Sequence, residues 1–94
     1  MTKLELAIEA KERCWIDLDA DERTVLKEVM AAGDRKTFEA NERFNFSDIG
    51  NPPALILRLN GIEIPPFGEN EPVHNYVLDR AALESLRVEE HRQP

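Results

Sequence analysis

The sequence predicts an all-β fold, an Ig-like β-sandwich of about seven strands with a short C-terminal helix. Three observations carry that prediction. Apolar residues recur with period two in several short segments. Turn-forming residues punctuate those segments roughly every 8–12 residues. Only near the end does the spacing become clearly helical.

The elements follow in order. Leu4, Leu6 and Ile8 alternate with Glu5, Ala7 and Glu9, the mark of a half-buried strand. Cys14, Ile16 and Leu18 alternate in the same way with Trp15, Asp17 and Asp19. Residues 21–32 admit two readings. Val25, Leu26, Val29 and Met30 have helical spacing, with Asp21 to cap and Gly33 to terminate. A strand in a hairpin is the other reading, and local signals divide evenly. After Gly33, "RKTFEA" and "ERFNFSD" are strand-like, with Phe44 and Phe46 on one face. "GNPP" is a loop, because proline cannot donate to a ladder.

Leu55, Leu57 and Leu59 then share a face, and Asn60-Gly61 marks a two-residue hairpin returning through Ile62 and Ile64. "PPFGENEP" is a loop, and "VHNYVLD" a last strand with His74, Tyr76 and Leu78 on one face. "DRAALESLRVEE" reads as a helix capped by Asp79, with Leu83 and Leu86 as its apolar contacts. The sandwich is assigned to residues 1–79, and the helix and a fraying tail to 80–94.

Composition narrows the function. The 94 residues carry 12 basic and 19 acidic side chains, a net charge of −7. Nucleic-acid binding needs clustered Lys and Arg, and the bases here are interspersed with acids. No apolar run is long enough to span a bilayer, so direct membrane insertion of this chain is not expected. There is no signal-peptide pattern at its start. A single cysteine, Cys14, forms no internal disulfide.

One stretch imitates a metal site. Asp17, Asp19, Asp21 and Glu28 occupy positions 1, 3, 5 and 12 of an EF-hand loop. The glycine that makes the sharp turn in such a loop is replaced by Glu22. A solvated strand produces the same spacing without a cation, and that reading is preferred. Weak calcium binding at the acidic turn is the alternative. No metal, cofactor or catalytic residue is assigned. His74 has no neighbouring metal-ligand partner in sequence, Cys14 alternates with core positions, and Ser47 and Ser85 lack a nucleophile elbow.

Three aromatic residues, Trp15, Phe67 and Tyr76, are the candidate partner contacts. A lone tryptophan in a small β domain usually packs in the core. Alternation, however, sets Trp15 on the face of Asp17 and Asp19.

Four segments in order, "CWIDLDAD", "AAGDRKTFEA", "GNPPALILRLNGIEI" and "FGENEPVHNYVLD", resemble the C-terminal β domain of RodZ-like bacterial proteins. The matching positions are Trp15; Ala32, Gly33, Thr37 and Phe38; Gly50 and Asn51; and Asn60 and Gly61. The resemblance covers roughly residues 3 to 79. It implies a β-sandwich-like domain outside the cytoplasmic membrane. In such proteins the domain follows a cytoplasmic helix-turn-helix domain, a membrane helix and a linker. Actin-like filament binding belongs to the helix-turn-helix part and does not carry over. Pro52 and Pro53 depart from the small residues of the family loop, and the tail after Asp79 is longer than the family core.

The expected function is therefore a non-enzymatic, extracytoplasmic (periplasmic) protein-interaction module of a membrane-anchored cell-shape scaffold. It would bind an envelope protein through a sheet edge or loop aromatics. The alternative is a carbohydrate-binding module that stacks sugars on Trp15, Phe67 and Tyr76. Exposure of Trp15 beside Tyr76 discriminates between them.

Overall fold

A computed structural model describes residues 3–65 and 73–91. Its elements are β1 (Leu4–Ala10), β2 (Cys14–Ala20), β3 (Arg23–Met30), β4 (Arg35–Ala40), β5 (Arg43–Ile49), β6 (Leu55–Leu59), β7 (Ile62–Glu63), β8 (Tyr76–Asp79) and α1 (Arg80–His91). A single 3₁₀ turn, Pro52–Ala54, precedes β6. The first sheet has the order β4-β1-β6-β7 and the second β3-β2-β5-β8. Every neighbouring pair is antiparallel. The all-β sandwich with a terminal helix is the architecture expected, with eight strands among the described residues rather than seven.

The two sheets meet through alternate side chains. β1 contributes Leu4, Leu6, Ile8 and Ala10, and β2 contributes Cys14, Ile16, Leu18 and Ala20. Phe44, Phe46 and Ile49 of β5 and Leu55, Leu57 and Leu59 of β6 extend it, with Leu26 and Met30 of β3 and Leu78 of β8. Each fully buried Leu, Ile or Phe contributes about 1.5–3 kcal/mol relative to exposure. Leu83 of α1 joins the same core, and Asp79 caps the helix by accepting the Ala82 N–H at 2.9 Å.

The ambiguity over residues 21–32 resolves to a strand. Leu26 and Met30 face the core while Arg23, Thr24, Lys27, Glu28 and Val29 are exposed. Pairing with β2 along the whole strand outweighs the local helical spacing. The last strand is shorter than expected. Asn75 has φ of +56°, a left-handed conformation that ends regular pairing, and Val73 keeps only a bridge to Ile49. His74 is thereby left out of the strand.

Two hairpins use the same turn. Asn60 and Gly61 have φ of +51° and +83°, as their identities predict. Asn60 also binds β1: its Oδ1 accepts the Glu5 N–H at 2.6 Å and its own N–H donates to the Glu5 carbonyl at 2.8 Å. Between β2 and β3 the two turn residues are Asp21 (φ +49°) and Glu22 (φ +68°). No glycine relieves this turn. It is held from outside, because the Asp21 carboxylate accepts the backbone N–H groups of Asn41, Glu42 and Arg43 at 2.6, 2.8 and 3.1 Å. The Asp21 N–H in turn donates to the Arg43 carbonyl at 3.0 Å. This clamp ties the β2–β3 turn to the β4–β5 connection. These hydrogen bonds, first those of Asn41 and Glu42, hold the Asp21 carboxyl below the usual carboxylate range, and the Arg43 charge adds to them.

The sheet edges among the described residues are blunted. On the open side between β3 and β4, Glu28 and Lys36 sit in register with the core residues Ile16 and Ile8. They point inward and meet at 3.8 Å. Inward charges on edge strands discourage pairing with another chain. At the other edges β7 has two residues and β8 four, and β8 runs directly into α1.

Two outcomes are expected. Glu22→Gly removes left-handed strain at a modest cost in chain entropy and one exposed ion pair. It should raise stability by ~0.5 kcal/mol, read as a melting temperature a few degrees higher. Asp21→Asn should lower stability at neutral pH. Because the folded-state pKa of Asp21 is depressed, its contribution is present above the ordinary carboxylate pKa and is lost as pH falls through the folded value. The variant should therefore show a shallower loss of stability below about pH 4 than the parent in acid denaturation.

Candidate interaction surface

The outer face of the second sheet gathers the side chains that the core leaves outside. Alternation along β2 turns Trp15, Asp17 and Asp19 outward. Strand register then builds three rows. Trp15 lies opposite Val29 of β3. Asp17 lies between Lys27 of β3 and Asp48 of β5. Asp19 lies between Thr24 and Asn45, and Asn45 is followed by Val77 of β8. Val29 and Val77 are 40% and 41% exposed, the only large hydrophobic residues among the described ones to be classed as exposed.

Trp15 is half-buried on this outer face, not in the core position that packing alone would favour. Gly50 explains how it fits. The Gly50 N–H donates to the Trp15 carbonyl at 2.9 Å, and a Cβ on Gly50 would come within 3.3 Å of the Trp15 Cβ. Glycine thus leaves the space beside the tryptophan open.

Tyr76 takes the other side of the sheet. It is in register with Phe46, and their rings are tilted with centroids 6.3 Å apart. Burial pushes its phenol pKa up. Trp15 and Tyr76 therefore fall on opposite faces, and the two do not form one stacking platform. Phe67 lies outside the described residues.

The acidic residues have separate employments. Asp19 accepts a hydrogen bond from the Thr24 hydroxyl at 2.9 Å and a longer one from Ser47 at 3.5 Å. Asp21 is engaged in the clamp, and Glu28 is directed to Lys36 on the inner side. The EF-hand spacing is thus spread over a β-hairpin and both faces of its strands, without the flanking helices that such a loop needs. Beside Asp19, a shallow depression of about 290 Å³ is lined by Asp21, Glu22, Arg43 and Asn45. The Asn45 Oδ1 is covered yet has no hydrogen-bond partner among the described residues. Glu22 and Arg43 are paired at 3.1 Å on its rim.

Two groups singled out in the sequence have local roles. Cys14 is buried, with its Sγ 3.4 Å from the Trp15 carbonyl and 3.5 Å from that of Asn51. Burial pushes its pKa up, and the nearby Asp48 charge adds to the effect, against the opposing hydrogen bonds. His74 Nδ1 lies 3.2 Å from Asp48 and its side chain is largely exposed. Sequence reasoning missed Val29 and Val77 as surface contacts. Period two could have found Val29, but only the register across four strands brings it onto one face with Val77.

Comparison with known families accords with this architecture. The family model described as the RodZ C-terminal domain matches residues 7–75, from β1 to the residue before β8. Comparisons with curated proteins and with solved structures gave no match. With the family model spanning well over half of its length and its sheets laid out as described, the chain belongs to the RodZ C-terminal domain family.

Proposed function

We propose that this domain is the extracytoplasmic protein-interaction module of a RodZ-like cell-shape scaffold, and that it works without catalysis. The observation that carries the reading is the adjacent pair Trp15 and Val29 on the outer face of the second sheet, with Val77 exposed at the far corner of the same face. Apolar side chains on an otherwise polar face are the material of a protein contact. Family membership supports the cell-shape context, and the location outside the membrane follows the pattern of RodZ-like proteins. Of the sheet edge and the loop aromatics expected from sequence, the edge is disfavoured by its protection, and in this reading binding runs through the face.

The domain, immobilised, should retain a defined protein from a solubilised envelope fraction of its own bacterium. The triple variant Trp15→Ala, Val29→Ser, Val77→Ser, confirmed as folded by circular dichroism, should lose it. Retention of nothing beyond what an unrelated acidic domain retains would sink the interaction role. For location, protease added to spheroplasts should cleave the domain in its native chain, whereas full protection would place it inside.

A further inference from the structure

We infer that the outer face of the second sheet docks a basic segment of a protein partner, one whose Lys or Arg side chains alternate with apolar ones. The inference rests on the interaction-module reading and names the chemistry of the partner. Three features lead to it.

The first is a like-charge pair. Asp17 and Asp48 stand directly opposite each other on the two central strands. Carboxylates in that relation destabilise a sheet. With Asp19 two residues along, the face carries three carboxylates, with Lys27 opposite Asp17 and His74 beside Asp48.

The outer face of the first sheet differs. It too has a like-charge pair, Glu5 opposite Glu39, but arginines answer the neighbouring acids there: Arg35 meets Glu9 at 3.4 Å and Arg58 meets Glu63 at 3.6 Å. Among the described residues, no arginine stands within the carboxylate row of the second sheet.

The second feature is the apolar frame. Trp15 and Val29 flank the acidic row at one end and Val77 at the diagonally opposite corner. A segment crossing between them would bury apolar contacts at both ends and pass over Asp17, Asp48 and Asp19.

The third is the depression beside Asp19. Its lining includes the Asp19 and Asn45 side chains. An ammonium or guanidinium group supplies donors and no acceptor, so it matches the Asp19 carboxylate and the row beside it.

The same charges exclude the other occupants. A second copy docked face to face would oppose these carboxylates to themselves, and an anionic polymer or lipid surface would be repelled.

The test uses the ¹⁵N-labelled domain and two synthetic peptides, one alternating lysine with valine and one alternating glutamate with valine. The lysine peptide should shift the amide signals of Trp15, Asp17, Asp48 and Val77, and the glutamate peptide should shift none of them. Asp17→Asn with Asp48→Asn should weaken lysine-peptide binding roughly tenfold. Glu5→Gln with Glu39→Gln changes net charge equally on the opposite face and should alter binding less than about twofold.

Equal loss in both double variants would reduce the effect to overall charge and overturn the inference. So would signals confined to other surfaces. Circular dichroism melting of each variant shows that it is folded. If the parent domain retains an envelope protein and Asp17→Asn with Asp48→Asn retains it equally, this inference falls while the interaction role stands. If the parent retains nothing, the interaction role falls and this inference, which rests on it, falls with it.

Discussion

The structure depends on the core that β1 and β2 fill from opposite sheets. These two strands sit inside their respective sheets, and three residues join them. Each sends every second side chain toward the other: Leu4, Leu6, Ile8 and Ala10 from one, Cys14, Ile16, Leu18 and Ala20 from the other. A shift of one residue in β2 would exchange Ile16 and Leu18 for Trp15 and Asp17, and one in β1 would exchange Leu6 and Ile8 for Glu5 and Ala7. That would bury a carboxylate and expose the core. The register is therefore fixed by burial, and the other strands inherit it through their ladders. The outer face described above is a by-product of the same constraint, since what cannot be buried must face water together.

The remaining weaknesses of a small sandwich are met by polar contacts at its margins. A domain of this size has a modest core, so loose corners would be costly. Asp21 gathers three backbone N–H groups from a connection twenty residues away in sequence, and Asn60 closes the corner between β6 and β1 with a reciprocal pair of hydrogen bonds. Arg80 extends the arrangement by donating to the Asn41 carbonyl at 2.7 Å, which anchors the start of α1 to the same corner. Glu28 and Lys36 close the seam between the sheets on the β3–β4 side. These contacts lie around the rim. Among the described residues they leave the broad outer surface of the second sheet free of such tethers between segments.

Much of the fold was legible because period two is a direct consequence of strand geometry. Leu4 through Ile8, Cys14 through Leu18, Phe44 with Phe46, and Leu55 through Leu59 all face the core as their alternation implied. Asn60-Gly61 was legible because few residue pairs tolerate that turn. The β2–β3 turn was obscure for the converse reason. Glu22 is not a turn former, and its conformation is imposed by a clamp between residues distant in sequence. The end of the last strand was obscure because an asparagine can either pair or turn, and Asn75 turns.

The candidate surface was legible only in part. Trp15 could be placed beside Asp17 and Asp19 from β2 alone. Its separation from Tyr76 required knowing that Tyr76 pairs with Phe46. The opposition of Asp17 and Asp48 required the bulge in the β2–β5 register, which no local pattern announces.

The burial of Cys14 has a consequence for where such a domain can work. Its sulfur is enclosed at one end of the sandwich, beside the carbonyls of Trp15 and Asn51, and the thiolate form is disfavoured. Disulfide exchange proceeds through an accessible thiolate. The folded domain therefore resists mixed-disulfide formation in oxidising and reducing surroundings alike, and covalent cross-linking between copies requires that end of the sandwich to open first.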